Sequence, residues 1–303
     1  MDTKLMKKYF IVLIILIIAL IAIASVPKNS INGNTDTVTN TNTNMKQTPK
    51  TINSSEISDV SKIDSLMKLT LTYYSTVYNK TLHIYAECPY SSTYYLESDN
   101  FLADIALRYL NQSPQINFYG KVSLSPYLPL DGIHNFTWKF HDPSLEILNG
   151  NVVTCSFSNS SMPYLSWYEY ADTSFLYSIY EVENGNLTLA EQAFSDGMNF
   201  WNGYGFMDDS YNGKYSSYKL ALAIIAWKYI NSTNSSFASS FEPEMSEIYN
   251  ISYHLQSSIG GFFTCYEVFN GHVIPEGNVN TETTSLFVIA FLMKSGDPIY
   301  VKM

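Results

Sequence analysis

The chain has 303 residues, a formal net charge of −10, and charged residues at only 15% against the usual quarter. Arg108 is its one arginine. Basic patches for nucleic acid and guanidinium clamps for phosphate are therefore both excluded, and a polar cytosolic enzyme is a poor fit.

Residues 1–8 carry Lys4, Lys7 and Lys8 against the single acid Asp2, a positive flank that predicts a cytoplasmic N-terminus. Residues 9–26 are almost wholly apolar, and as a helix they would span roughly 27 Å, enough to cross a bilayer core. They predict a transmembrane signal anchor. Ala22-Ile23-Ala24 also offers an A-x-A cleavage pattern, so removal as a signal peptide is the competing reading. Residues 27–55 are mostly Asn, Thr, Ser and Lys, with too little apolar surface to offset ordering entropy; they predict a disordered stalk. What remains, residues 56–303, is about 248 residues, room for one large exported domain. Nine N-x-Ser/Thr sequons follow the apolar run, against about five expected by chance, which fits an extracellular glycoprotein. Low charge with many hydroxyl and amide groups also suits an acidic exterior, where protonated carboxylates would leave lysines unbalanced.

Within the domain, Phe101–Leu110 is apolar all round a helix and predicts a fully buried one. Val152–Ser158 alternates as a short strand. Ala171–Val182 carries a narrower stripe through Phe175, Leu176, Ile179 and Val182, and Leu189, Ala193 and Phe194 mark an amphipathic helix after it. Leu220–Trp227 is again apolar all round; Met245, Ile248, Tyr249 and Leu255 form another one-sided stripe. Phe262–Val268 reads as a strand and Ser285–Met293 as a third fully buried helix. Buried helices alternating with half-exposed ones predict a mainly α fold in two layers of helices.

A loose repeat accompanies this alternation. Gly203-Tyr204-Gly205-Phe206 leads through a Tyr-rich tract into the helix from Tyr218, and Gly260-Gly261-Phe262-Phe263 leads through Tyr266, Gly271 and Gly277 into the helix from Glu282. A weaker copy runs from Tyr85 through Cys88-Pro89-Tyr90 to Asp99.

Ala171-Asp172-Thr173-Ser174-Phe175-Leu176 with Gly185-Asn186 and Ala190 resembles the helix hairpins of α/α-toroid, six-hairpin glycosidase-like proteins. Trp201-Asn202-Gly203-Tyr204-Gly205-Phe206 and Asn280-Thr281-Glu282-Thr283-Thr284-Ser285 resemble the loop and inner-helix entries of such toroids. The Gly-Gly-Phe element is also similar to terpenoid-cyclase-type toroids, though a D-x-D-D run is missing. The resemblance covers roughly residues 95 to 295 and implies an α/α toroid, shortened or open because a full six-hairpin barrel needs more residues, with a few short β-strands.

A toroid directs the N-terminal ends of its inner helices at a central funnel. The residues there would be Asp99, Asp104, Tyr170, Asp172, Tyr215, Tyr218 and Glu282, with Asp208 and Asp209 on a preceding loop. Paired carboxyls, one retaining its proton, are what glycosidic bond cleavage needs. Asp172 and Glu282 make the leading pair and Asp208 the next candidate. The alternative is that Asp99, Asp172 and Glu282 are helix caps or first-turn acids that complement the helix dipole, and that Asp208-Asp209 is a turn. Trp201, Tyr204, Tyr211, Tyr215, Tyr218 and Tyr170 are the candidate sugar-stacking groups, since flat rings suit sugar C–H faces.

Cys88, Cys155 and Cys265 allow one disulfide and an odd thiol, or three separate thiols. No C-x-x-C, H-E-x-x-H or EF-hand spacing, G-x-S-x-G elbow or phosphate loop is present, so neither metal nor cofactor is expected. The expectation is a membrane-anchored extracellular protein whose partner is a carbohydrate or cell-surface glycan, which it binds or cleaves by hydrolysis or elimination. The alternative is a non-catalytic structural or glycan-binding protein of the cell surface.

Overall fold

The structure, a computed structural model, describes residues 60–90, 94–117, 130, 144–148, 151–156 and 167–295. The expected anchor at 9–26 and stalk at 27–55 lie outside these. Among the described residues no helix is long and apolar enough to cross a membrane.

Helix α1 (Val60–Val77) is followed by a short hairpin, β1 (Tyr78–Asn79) and β2 (Ile84–Tyr85). Strand β3 (Tyr94–Leu96) runs into α2 (Glu97–Tyr109) and pairs parallel with β5 (Asn151–Ser156), which pairs antiparallel with β4 (Ser144–Leu148). Helices α3 (Ala171–Glu183) and α4 (Leu187–Met198) form a hairpin whose turn uses Gly185 at φ 74°. Strand β6 (Tyr215–Ser216) leads directly into α5 (Ser217–Thr233), then α6 (Ser235–Ser239) and α7 (Glu242–Ser252). Strands β7 (Phe263–Phe269) and β8 (His272–Val279) complete a sheet of order β6-β7-β8, and α8 (Thr281–Leu292) closes the described chain.

The described chain is mainly helical, in agreement with the periodicity. The three segments read as apolar all round are α2, α5 and α8, each buried along most of its length. Helix α8 packs against α2 on one side and α5 on the other, and α5 packs against α3. The packing order is therefore α2, α8, α5, α3. Helix α1 lies against α8, while α4 and α7 lie against α5. These three bury only one face, as amphipathic elements do.

The repeat has a physical basis in both stronger copies. An isolated bridge pairs Trp201 with Phe206 in one copy and Gln256 with Phe262 in the other. The buried Phe of each turn then packs on an inner helix: Phe206 lies 5.2 Å from Phe175, and Phe262 stacks 4.5 Å from Phe287. The glycines permit this approach. A Cβ on Gly260, at φ 94°, would overlap the Leu69 carbonyl of α1, and one on Gly205 would overlap the Tyr215 ring.

Tyr73, Tyr74, Tyr95, Tyr249 and Tyr266 are core residues. Burial is tolerated where the phenol finds a partner: Tyr74 meets Ser285 at 2.8 Å, Tyr266 donates to the Tyr204 carbonyl at 2.8 Å, and Tyr95 accepts from Asn79 at 2.7 Å. Cys88 and Cys265 are free thiols, so no bridge joins them. The side chain of Cys155 is outside the described set.

Candidate functional site at the helix N-termini

The N-terminal ends of α2, α8, α5 and α3 lie together. Tyr218, second residue of α5, donates its phenol to Asp172 Oδ2, second residue of α3, at 2.8 Å. Asp99, in the first turn of α2, feels the charge of Glu282, second residue of α8, and then of Glu87. The charges of Asp172, Glu282 and Asp208 all bear on Tyr218. The sequence candidates Asp172, Glu282 and Tyr218 are thus neighbours, and Asp99 joins them.

Both α3 and α8 take their caps elsewhere. At α8, Asn280 accepts from the Thr283 backbone N–H at 2.9 Å. Thr281 donates to the Ala86 carbonyl at 2.6 Å, and Thr284 accepts from the Phe262 N–H at 2.9 Å, so these threonines tie α8 to its surroundings. At α3, Tyr170 occupies the cap position without a side-chain bond, and Asp208 Oδ2 accepts the Ala171 N–H at 2.9 Å from a different loop. Thr173 and Ser174 donate to the carbonyls of Trp167 and Tyr170. Asn280 thus caps α8, and the first N–H of α3 is met by Asp208 from another loop.

Asp208 has the opposite character. Its Oδ1 accepts both the Ser210 N–H at 3.1 Å and the Ser210 hydroxyl at 2.6 Å, and Oδ2 also receives Lys219 Nζ at 2.5 Å. Burial alone would raise its pKa, but the bonds from Lys219, Ser210 and Ala171 outweigh burial and hold the carboxyl below its usual value. This third acid candidate is a saturated structural brace. Asp104 also departs from the funnel expectation: it lies farther along α2, partly exposed, in an i,i+4 pair with Arg108 at 2.6 Å.

Asp99 is only 2% exposed, and its Oδ2 makes no hydrogen bond among the described residues. Burial, then the negative charges of Glu282 and Glu87, hold its carboxyl well above the carboxylate range, against a lowering bond from Ser98. Asp172 Oδ1, Ser217 Oγ and Thr283 Oγ1 are likewise buried without a partner among the described residues. Burial, then the Asp172 charge and hydrogen bond, then Glu282 and Asp208, push the Tyr218 phenol far above its ordinary value, so it stays a donor. Buried polar oxygens without a partner among the described residues thus gather at the positive ends of four helices.

The aromatic candidates divide. Tyr204 is 52% exposed, and Trp201 and Tyr211 are partly buried. Tyr170 and Tyr218 are partly buried beside the acids. Tyr215 is core: it packs 5.4 Å from Tyr266, accepts from Asn202 Nδ2 at 2.9 Å, and has the Gly205 backbone against its ring. No sugar face can reach that ring. Sequence reasoning missed Lys219, whose place between polar tract and buried helix gave no signal. It also undervalued Asp99, because one acid before an apolar run reads as a cap. Among the described residues no three His, Cys, Asp or Glu side chains gather to hold a metal.

No family model, curated protein or solved structure matches the chain.

Proposed function

We propose that the exported domain binds carbohydrate at this acidic end and cleaves a glycosidic bond there, on a shortened or open α/α-toroid of helix hairpins tethered outside the cell. The observation that carries the reading is that Asp99, Asp172 and Glu282 meet at these helix ends, where Asp99 Oδ2 and Asp172 Oδ1 are buried without a partner among the described residues. Carboxylates beside a carboxyl whose proton affinity is raised are the equipment of acid/base cleavage.

The roles follow from the neighbours. Two carboxyls as close as Asp99 and Glu282 resist ionising together, so the pair keeps one proton, and Glu282, the more accessible member, presents it to the leaving oxygen. Tyr218 fixes Asp172 by Oδ2 and leaves Oδ1 as the acceptor on the base side. Lys219, the basic side chain bonded at this end, is engaged by Asp208 and so is not available to neutralise a uronate carboxylate. This favours hydrolysis over elimination. Exposed Tyr204 and part-exposed Trp201 supply rings for stacking at the rim.

The test is a glycan array combined with a hydrolysis screen on the purified protein, wild type against Asp172→Asn and Glu282→Gln. Turnover falling 10²–10⁴-fold in each variant, with binding kept, supports the reading. Binding that survives both changes with no turnover in wild type points instead to a non-catalytic glycan-binding protein. Absence of both binding and turnover overturns the proposal.

A further inference from the structure

A cavity lies on the far part of α2. Its volume is about 360 Å³, within the range of small-ligand pockets. It opens between the C-terminal half of α1, the β1–β2 hairpin and the segment following α2. Leu107, on its wall, is eight residues beyond Asp99, so the cavity sits about 12 Å along the helix from the acid end.

Its walls are preformed. After α2 the chain turns back through Asn111 at φ 56°, with the Gln112 N–H donated to the Leu107 carbonyl at 2.8 Å and the Asn111 N–H to Arg108 at 3.0 Å. The returning segment is tied to the hairpin, since Asn117 donates its N–H to the His83 carbonyl at 2.9 Å. Tyr78 locks the two together: its phenol donates to the Gln115 carbonyl at 3.1 Å and meets His83 Nδ1 at 2.9 Å. His83 itself is held at φ 54°, a left-handed conformation unusual for a residue with a side chain.

The chemistry of the lining is selective. Three phenol rings contribute, with Tyr78 and Tyr85 centred 4.9 Å apart and Tyr74 edge-on to Tyr85 at 5.5 Å. Around them stand the hydroxyls of Ser75 and Ser113 and the amides of Gln112 and Gln115. Among the described residues the lining contains no Asp, Glu, Lys or Arg. Ring faces with uncharged donors and acceptors suit a ligand that has apolar C–H faces and hydroxyls but no charge.

We propose that this cavity is a separate binding site for a neutral sugar unit, distinct from the acid end and independent of whether that end is catalytic. The site holds one ring of a glycan against Tyr78, with Ser75, Ser113 and Gln115 bonding its hydroxyls. Ligand-observed saturation-transfer NMR on the full-length protein tests it, with methyl glucoside, methyl mannoside and N-acetylglucosamine as neutral probes and glucuronate and glucosamine as charged ones. Two variants separate the sites: Ser75→Trp fills the mouth from an exposed helix position, and Gln115→Leu removes an amide while keeping the carbonyl that Tyr78 uses. At least one neutral probe should bind, at least tenfold more weakly in Ser75→Trp and in Gln115→Leu, with unfolding midpoints unchanged. Its affinity should be unaltered in Asp172→Asn with Glu282→Gln, and the charged probes should bind at least tenfold more weakly than it does. The proposal is overturned by binding that survives both cavity variants, by charged probes that bind equally, or by no neutral probe binding at all.

Discussion

Lys219→Met removes one partner of a buried ion pair and should be among the most damaging single changes in the domain. The Lys219 and Asp208 side chains are 2% and 0% exposed, and Nζ sits 2.5 Å from Oδ2 and 2.6 Å from Ser210 Oγ. Removing one member of such a pair costs about 3–5 kcal/mol, because the remaining charge is buried without compensation. Asp208 would still accept from Ser210 and from the Ala171 N–H, so the lower end, about 3 kcal/mol, is expected. The double variant Lys219→Met with Asp208→Asn removes both charges and should recover most of the loss, giving a coupling energy of at least about 2 kcal/mol. The acid dependence shifts as well. With its folded pKa depressed, Asp208 adds stability above its unfolded value near 4, lost as pH falls through the folded value. Without Lys219 the effect of burial dominates, the carboxyl moves up, and the loss begins at higher pH. Urea unfolding from pH 3 to 8 on wild type, both singles and the double measures all of this. A Lys219→Met variant within about 1 kcal/mol of wild type, or strictly additive singles, refutes the buried-pair argument.

Further outcomes follow from neighbouring geometry. Lys228 donates to the carbonyls of Ala290 at 2.6 Å and Met293 at 2.5 Å, closing the C-terminus of α8, so Lys228→Met should cost roughly 2–3 kcal/mol in chemical denaturation. Gly260→Ala meets both a left-handed backbone and the Leu69 carbonyl, and should lose about 3 kcal/mol or more, seen as a lowered thermal midpoint. For Asp99 the sign is reversed relative to Asp208. A folded pKa raised above the unfolded value makes its contribution fall as pH rises from about 4 through the folded value. Asp99→Asn should therefore gain on wild type over that rise. Urea midpoints of the two proteins at pH 4 and pH 7 give that difference directly.

The helices were legible where burial was one-sided or complete, since side-chain period and apolar content carry that information. Helix α1 escaped notice because its buried face is built from Thr70, Tyr73 and Tyr74 as well as Ile63 and Met67, and hydroxyl-bearing residues do not register as a stripe. Strand β8 was not legible, because Gly271, Pro275 and Gly277 break the alternation that marks a strand. Yet Asn270-Gly271, with φ values of 51° and 78°, is the turn of the β7–β8 hairpin. Pro275 lies on an edge strand, and Gly277 sits at a register shift where a Cβ would strike Thr264. At the site, Asp172 and Glu282 were legible because each stands second in a strongly patterned helix. The pairing of Asp208 with Lys219 was not, because two polar residues eleven apart in sequence say nothing about a shared interior.

The central claim is that burial, reinforced by the negative charge of Glu282, holds the Asp99 carboxyl well above the ordinary carboxylate range. Difference infrared spectroscopy of the carboxylic acid C=O stretch, on wild type, Asp99→Asn and Glu282→Gln across pH 5 to 9, tests it most directly. A protonated-carboxyl band should persist in wild type to higher pH than an ordinary carboxylic acid allows, be absent from Asp99→Asn, and titrate at lower pH in Glu282→Gln, where one like charge has been removed. A wild-type band lost at the pH of an ordinary carboxylic acid, or a band indifferent to both substitutions, contradicts it.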